Sequence, residues 1–371
     1  MAVKEYFEKM TTFQKCILEY LEQEDDNEEN YHNLINLFED QKVSKNHYEM
    51  KAILSLLSKI IDYHHHESDF FPKIEKILLF FKKDLKKYFS QTEILNLFKN
   101  NKRIVLFLIN SNILLVNNEF YSTISDDNYK LMEYLQYFAP EIRKLSITDE
   151  IIDSNEFSED FEEKRKNGEN DDYLAEIIRN DMVDDFILYT KQNNIPYNSI
   201  IKESIFETNL FLLLNRKTEL IEYSAFFGSI KIFNYLYPNN VNLAPKIFIY
   251  AIHSNNHDFV KFLQNKISNE ISYENCIKIA ISCHHNQIFD YLQNFMNNEE
   301  FRTIIDSYAL CFHNYLCFSN NNFDNQQLFF NACEFGHLKL VDLMLNVYKI
   351  DLEAKIIENT IFFQIKFHNF V

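Results

Sequence analysis

The sequence predicts an all-α protein, a helical solenoid of helix–turn–helix repeats preceded by an N-terminal α-helical domain. Three observations favour this fold class. The 371 residues include only 3 glycines and 5 prolines, too few for sets of glycine-rich phosphate loops or tight β-hairpin turns. Apolar residues recur with helical spacing along most of the chain, and similar segments recur towards its end. Dinucleotide-binding folds, P-loop enzymes and turn-rich β-sandwiches are therefore disfavoured.

Residues 1–140 form the predicted N-terminal helical domain. Apolar side chains with helical spacing line four segments: residues 5–22, 31–38, 50–61 and 74–88. Pro72 stands where the first turn of a new helix tolerates proline, and Pro140 closes the block. The pattern leaves open whether this domain is a separate bundle or a further stack of repeats.

An acidic, polar stretch follows this domain. Residues 148–172 contain the sequence EFSEDFEEKRKNGENDD and one of the glycines, Gly168. Low hydrophobicity and dense charge are typical of a solvated linker. The sequence therefore predicts an acidic linker over residues 141–172 and a repeat domain over residues 173–371.

An internal repeat is the strongest signal in the chain. Four segments align without gaps: residues 224–236 (SAFFGSIKIFNYL), 251–263 (AIHSNNHDFVKFL), 280–292 (AISCHHNQIFDYL) and 332–344 (ACEFGHLKLVDLM). The first three start 27 and 29 residues apart, and the fourth starts 52 residues after the third. Because 52 is near twice the other spacings, a degenerate unit is predicted around residues 307–318. A weaker helix–turn–helix pattern covers residues 173–187.

Each segment has the same physical plan. A small residue on the first helix allows close packing of a neighbouring helix; these residues are Ser224, Ala251, Ala280 and Ala332. A turn residue follows four positions later, and the four are Gly228, Asn255, His284 and Gly336. Gly and Asn suit the left-handed conformation that ends a helix. The second helix carries two apolar pairs three positions apart, which form a wide stripe that is expected to be buried against the next unit. Since one such helix pair is too small to fold alone, the units are expected to stack.

The repeat segments resemble a known family. Residues 331–345 (NACEFGHLKLVDLML) resemble the centre of an ankyrin repeat, and residues 350–355 (IDLEAK) resemble the turn between ankyrin repeats. The chain is also similar to a divergent ankyrin-like family of uncharacterised function that is expanded in trichomonad protists. This second resemblance is carried by residues 74–90, 101–109, 221–237, 249–263 and 279–293. The resemblance implies five or six ankyrin-type repeats and a non-enzymatic role in protein binding.

The chain departs from the ankyrin pattern. Ankyrin repeats usually begin with Thr-Pro-Leu-His, of which only the apolar third position remains, as Ile221, Phe248, Ile277 and Phe329. We therefore expect the Thr/His hydrogen-bond network between repeats to be absent. The spacings are also shorter than the usual ~33 residues, so the hairpin fingers should be short or irregular. Residues 361–371 (IFFQIKFHNFV) are apolar where a capping helix is usually polar.

Charge and cysteine content limit the partners and the compartment. Lys and Arg total 37 against 55 Asp and Glu, and the net charge of −18 disfavours nucleic-acid binding. The six cysteines have no paired CxxC spacing, which is typical of reduced structural thiols. No apolar run approaches the ~18–20 residues that span a bilayer, and residues 1–14 lack the apolar region of a signal peptide. We expect a cytoplasmic protein, with a nuclear location left open.

Histidine and cysteine clusters are weighed as metal sites. One is His64-His65-His66; the other groups Cys276 with Cys283-His284-His285 and Cys311-x-His313-x3-Cys317. Adjacent side chains on a helix do not share a face, and buried cysteine is usually structural. We therefore predict no metal site. No Gly-x-Ser-x-Gly, His-Glu-x-x-His or Walker motif is present, so no catalytic residue and no cofactor are predicted.

An alternative function rests on the basic amphipathic stretch from Lys73 to Lys87, which has six lysines opposite an apolar stripe. Such a stretch could lie on an anionic membrane or contact a host component. Lysines of a core-facing helix that reach into solvent produce the same pattern. The second interpretation is favoured because the flanking segments are amphipathic as well.

The predicted function is a protein–protein interaction module or scaffold whose protein partner is unidentified. The ankyrin resemblance implies binding through the turns between repeats and the exposed side of the first helices. This places the surface in the stretches from Tyr237 to Asn242, Asn265 to Tyr273 and Asn294 to Glu300. The candidate contact residues are Tyr237, Asn239, Asn240, Asn242, Asn265, Lys266, Tyr273, Asn297 and Asn298.

Overall fold

The structure is mostly helical in the part of the chain that it describes. This computed structural model describes residues 2–23, 28–64, 69–125, 131–144, 157–239, 244–267, 271–296, 299–318, 324–348 and 350. Within these ranges there is no β-strand, only an isolated bridge between Ile200 and Glu219. The predicted all-α class is therefore confirmed, and the low glycine content agrees with it.

The described residues of the N-terminal part form ten helices. They are α1 Ala2–Leu21, α2 Glu28–Asp40, α3 His47–Tyr63, α4 Phe70–Phe80, α5 Lys82–Tyr88, α6 Gln91–Phe98, α7 Lys102–Asn110, α8 Asn118–Ser125, α9 Leu131–Tyr137 and α10 Ala139–Ile142. Two of these helices begin at strong caps. Asn46 accepts backbone N–H groups at the start of α3, and Ser90 forms a capping box with Glu93 at the start of α6.

Most of the helices in the rest of the chain form consecutive pairs. They are α11 Phe161–Asn167, α12 Tyr173–Arg179, α13 Val183–Gln192, α14 Leu210–Leu214, α15 Leu220–Phe226, α16 Ile230–Leu236, α17 Ile247–His253, α18 His257–Ile267, α19 Tyr273–Ser282, α20 Asn286–Gln293, α21 Glu299–Cys311, α22 Asn325–Glu334 and α23 Leu338–Val347. Short 3₁₀ turns span Val43–Lys45 and Tyr315–Cys317.

Left-handed turn residues divide six helix pairs. They are Asp181, Gly228, Asn255, His284, His313 and Gly336, with φ between 49° and 75°. The four turn residues predicted from the repeat are all in this conformation, and Asp181 lies in the weaker match. The degenerate unit predicted around residues 307–318 consists of α21 and the Tyr315–Cys317 turn on either side of His313.

Each left-handed residue lets the chain close the end of the first helix. At five of the six turns, the N–H group of the following residue bonds back to a carbonyl five residues earlier, as in Ser229 to Ser224 at 2.8 Å and His337 to Ala332 at 2.8 Å. At the turn of Asn255, the Asn256 N–H bonds instead to the Ser254 hydroxyl at 3.2 Å. The acceptors include the small residues of the repeat, whose side chains are fully buried. The small side chain and the left-handed turn therefore act together. Both allow the backbone after the turn to come close to the end of the first helix.

The first helices of consecutive pairs stack in chain order. Helix α15 packs on α12 and α17, and α19 packs on α17 and α21, which in turn contacts α22. The second helices pack less extensively, with α13 on α16 and α18 on α20. The chain is thus a helical repeat-like protein with one continuous hydrophobic core.

The N-terminal helices pack against this array. Helix α1 contacts α23 and the Tyr315–Cys317 turn, and α3 contacts α14 and α23. Phe7 of α1 stacks on Phe318 with ring centroids 4.1 Å apart, and Tyr63 of α3 meets Phe312 edge-on. One side of the stacked turns is therefore covered by the chain itself.

The acidic stretch differs from the expected solvated linker where the structure describes it. Within residues 157–172, α11 packs against α7, and Arg165 is 1% exposed. Its guanidinium binds the carboxylates of Glu141 at 2.7 Å and Glu162 at 2.6 Å. Tyr137 donates to the Arg165 carbonyl at 2.7 Å. Ion pairing that brings basic and acidic side chains together allows this charge-dense segment to fold.

Candidate interaction surfaces

Side chains just after the turns join successive helix pairs. Four buried residues donate to backbone carbonyls of the preceding pair over 2.5 to 2.9 Å: Ser229 to Ile178, His285 to Ile252, Asn314 to Ile281, and His337 to Leu310. Each acceptor lies three residues before the turn residue of the preceding pair and also accepts the N–H of that turn residue. At such a helix end the carbonyl lacks the usual partner four residues later and has room for a second donor. We call these four bonds the turn ladder. It supplies polar contacts between units through residues other than the Thr and His of the usual ankyrin opening.

Helix α1 binds the turn ladder directly. Gln14, which is fully buried, donates from Nε2 to Asn314 Oδ1 at 2.6 Å and accepts the Leu316 N–H at 3.1 Å. Asn314 thus connects α1 on one side to the Ile281 carbonyl on the other. The amide side chains fix the register between the N-terminal helices and the array, since a shift would leave buried polar groups unpaired.

The histidine and cysteine clusters lie at the same turns, but not as ligand sets. Among the described residues, no group of three or more His, Cys, Asp or Glu side chains is arranged to hold a metal ion. His64 directs Nδ1 to the Cys283 carbonyl at 2.8 Å, and His284 directs Nδ1 to the Ser282 carbonyl at 3.1 Å. His65 and His66 lie outside the described residues.

Burial determines the protonation of these groups. Loss of hydration lowers the pKa of His284 to about 3 and that of His337 to about 4, and it places the pKa of His313 well below its ordinary value. The same burial raises the pKa of the Cys283 and Cys317 thiols. At neutral pH these are uncharged imidazoles and protonated thiols.

The predicted contact residues after α16 are accessible only in part. Tyr237 is half-buried, and its ring stacks on Phe233 of the same helix at 6.3 Å. Asn239 is exposed and donates to the Tyr235 carbonyl at 2.6 Å. Asn240 and Asn242 lie outside the described residues. Of this group, Asn239 offers the most open side chain.

The predicted residues around α18 and α19 fall into two groups. Asn265 and Lys266 are exposed in the last turn of α18, with the Lys266 ammonium 5.7 Å from the Phe262 ring. Tyr273 is half-buried, accepts from Gln264 at 2.8 Å and stacks on Phe295 at 5.2 Å. The last two candidates, Asn297 and Asn298, lie outside the described residues.

The structure adds a surface that the sequence interpretation missed. In the second apolar pair of these second helices, one member is buried and the other reaches the surface. Leu236, Leu263, Leu292 and Met344 are fully buried, whereas the residues just before them are half-buried or exposed. We call these preceding residues the outer row: Tyr235, Phe262, Tyr291 and Leu343. Phe262 is 38% exposed. Each of these residues is the first member of the second apolar pair in its unit, so the expected burial of the whole stripe holds for the second member and not for the first.

Hydrogen bonds hold the two tyrosines of the outer row in place. Tyr235 shares a hydrogen bond with Tyr197 at 2.7 Å between their hydroxyls. Tyr291 donates to Gln264, which also binds Tyr273. Phe295, beside this group, is 45% exposed. Aromatic rings fixed by hydrogen bonds and partly open to solvent are the kind of side chain that anchors protein interfaces.

The basic stretch from Lys73 to Lys87 is not one continuous helix. It is divided at Phe81 between α4 and α5, and its apolar face is buried. Lys73 is 2% exposed and pairs with Asp69 at 2.6 Å, while Lys76 pairs with Glu28 at 2.7 Å. The exposed lysines are Lys83, Lys86 and Lys87. Internal ion pairs thus occupy two of the lysines on which the membrane alternative depended.

A cavity of about 40 Å³ lies beside α14 and α15, lined in part by Glu133, Glu207 and Arg216. Such a volume holds a few waters, far less than the ~300 Å³ of a small ligand pocket. Burial raises the pKa of Glu207, whose carboxylate accepts the backbone N–H groups of Thr208 and Asn209 at 2.9 and 2.7 Å. These bonds give Glu207 a local structural role.

Comparison of the chain with protein-family models, curated proteins and solved structures gave no match. In the part of the chain that the structure describes, no helix is both long and apolar enough to cross a membrane. The class that the structure defines is therefore a helical repeat-like protein, and its finer assignment rests on the residues themselves.

Proposed function

We propose that the stacked helix pairs are divergent ankyrin-type repeats and that the protein is a non-enzymatic scaffold that binds another protein. The observation that supports this function is the outer row, which presents a large apolar or aromatic side chain at the same position of four units. Stacked units create an extended surface whose exposed residues can vary without disturbing the core.

The internal contacts of the array favour the outer face for binding. The turn ladder is buried, and α1 and α3 cover it through Gln14 and His64. The second helices instead carry exposed apolar residues along the array: Leu188, Ile230, Phe262, Leu338 and Leu345. We therefore place the partner on the second helices and the adjoining loop residues Asn239, Asn265 and Lys266, rather than on the first helices.

The test is a comparison of partners captured by tagged full-length protein and by surface variants. The double variant Phe262→Ala/Tyr291→Ala should lose, by at least about tenfold, a partner that the wild type retains. The matched control is Leu79→Ala, because Leu79 is 47% exposed on α4, outside the array. Equal capture by all three proteins would contradict the proposed surface. If L79A alone lost the partner, the binding site would lie on the N-terminal helices.

A further inference from the structure

A directional hydrogen-bond relay connects two buried histidines at the last turns. The Tyr315 hydroxyl lies 3.2 Å from His313 Nδ1 and 3.3 Å from His337 Nδ1. His337 Nε2 lies 2.8 Å from the Leu310 carbonyl, which only accepts, so Nε2 carries the hydrogen. In neutral His337, Nδ1 therefore accepts from Tyr315, and the Tyr315 oxygen accepts from His313.

A proton on His337 would break this relay. It would place an N–H at Nδ1 facing the Tyr315 hydroxyl, so that Tyr315 would receive two donors and its own hydrogen would have to turn to another acceptor. The Tyr6 hydroxyl of α1 is the titratable group that faces Tyr315 from the N-terminal helices. The His313 and His337 rings are 4.2 Å apart, and both are buried. A buried imidazolium without a paired anion is strongly disfavoured.

The relay lies where the N-terminal helices meet the array. Tyr6 and Phe7 of α1 contact the Tyr315 ring, with centroids 6.4 and 6.3 Å away. Further along the turns, His64 at the end of α3 donates to the Cys283 carbonyl and approaches His285, with 5.0 Å between ring centroids. We call His64, His284, His285, His313 and His337 the histidine seam.

The charged groups around the seam are unevenly placed. Lys59 of α3 faces His284, His313 and His337. Glu22 of the α1 end lies 3.5 Å from His64 Nε2. Tyr63 faces Asp62, Cys283 and Cys311, and Glu334 faces Cys311. Protonation of His284, His313 or His337 therefore adds positive charge beside Lys59. The carboxylate of Glu22 contacts only His64 among the seam histidines.

We propose that the histidine seam is an acid-sensitive latch that holds α1 and α3 against the turns of the array. Protonation separates these two helices from the turns while the helix pairs themselves stay formed. The proposal is independent of the protein-binding function, because it concerns a contact within the chain.

The pH range follows from the direction of the pKa shifts. The folded-state pKa of His284 is about 3 and that of His337 about 4, below the ~6.5 of an exposed histidine. The closed state is thus fully favoured above pH ~6.5, and its stability is lost as the pH falls from about 6.5 to about 4. The latch should open within this window.

Thiol labelling of the full chain tests the latch. The reagent is 4,4′-dithiodipyridine, which reacts in acid, with each cysteine read by mass spectrometry and helicity read by far-UV circular dichroism. Cys283 and Cys317 are buried at the seam, and exposed Cys333 is the internal reference. We expect labelling of Cys283 and Cys317, relative to Cys333, to rise at least about tenfold between pH ~6.5 and ~4 while helicity is retained.

Asparagine variants remove three of the five titrating histidines of the seam and replace them with a residue type that the array already has at equivalent positions. Asn255 occupies the left-handed position equivalent to His284 and His313, and Asn314 occupies the ladder position equivalent to His337. The variant His284→Asn/His313→Asn/His337→Asn should keep both thiols protected to pH ~4. Exposed His32 provides the control His32→Asn, which should label like the wild type. If the triple variant does not fold at pH ~7.5, His337→Asn alone should open at a lower pH than the wild type.

Three results would overturn the latch. The first is labelling of the asparagine variants at the same pH as the wild type, which would show that His284, His313 and His337 do not control the opening. The second is loss of helicity together with labelling in the wild type, which would indicate global unfolding. The third is protection of Cys283 and Cys317 throughout the range.

Discussion

The turns and the second helices of the same units differ in what covers them. At the turns, buried polar side chains bond to the preceding unit and to α1, as Asn314 does with Ile281 and Gln14. On the second helices, the outer row is partly open to solvent, and Phe262 is 38% exposed. The comparison shows that each unit uses separate parts for two tasks. The turns fix how neighbouring units stack, and the second helices present side chains to solvent.

The largest expected effect separates two adjacent residues of α18. Leu263 is fully buried and Phe262 precedes it in the outer row. Leu263→Ala should lower the free energy of unfolding by about 2–5 kcal/mol, because it removes packed core atoms and leaves a cavity. Phe262→Ala should cost less than about 1 kcal/mol. Urea denaturation followed by circular dichroism measures both, and equal losses would remove the distinction between core and outer row.

An intermediate effect is expected for the turn ladder. Asn314→Ala removes the donor to the Ile281 carbonyl and the acceptor of Gln14. Buried groups left without partners cost about 1–3 kcal/mol. Asn265→Ala, at an exposed position of α18, should stay within about 0.5 kcal/mol of the wild type. The same denaturation curves decide the result, and a neutral Asn314→Ala would mean that the ladder adds no stability.

The smallest effects compare two glycine turns. Gly228 and Gly336 have φ of +67° and +75°, where an alanine is disfavoured by about 1–2 kcal/mol. A Cβ at Gly228 would lie 3.3 Å from Ser254 Cβ, whereas one at Gly336 meets no atom within 4 Å. Gly228→Ala should therefore lower the thermal midpoint more than Gly336→Ala. A lower thermal midpoint for Gly336→Ala than for Gly228→Ala would show that Ser254 moves aside easily to make room for the added Cβ.

Local chemistry made much of the repeat array predictable. The left-handed conformations of Gly228, Asn255, His284 and Gly336 followed from residue type and spacing, since few residues end a helix in this way. The small residues four positions earlier are buried as expected. The segment around Arg165 was harder, because its folding depends on ion pairing with Glu141, 24 residues away.

The candidate surface was predictable only in part. The exposed positions of Asn239, Asn265 and Lys266 agree with polar loop or helix-end character. The outer row was interpreted as core because Tyr235 and Phe262 are apolar and helically spaced, as core residues are. The helical spacing of these apolar residues does not indicate how much of the apolar face of a second helix the next unit covers.

By itself, the sequence determined the helical class, the repeated unit and the turn positions, because periodicity and turn conformation depend on residues close in the chain. The tertiary structure alone decided that α1 and α3 cover the turns, that Lys73 is an internal ion-pair partner, and that the outer row is open. These outcomes depend on contacts between residues 300 or more positions apart, such as Gln14 and Asn314. Spacing along the chain specifies which face of a helix is apolar, but it does not specify which segment covers that face.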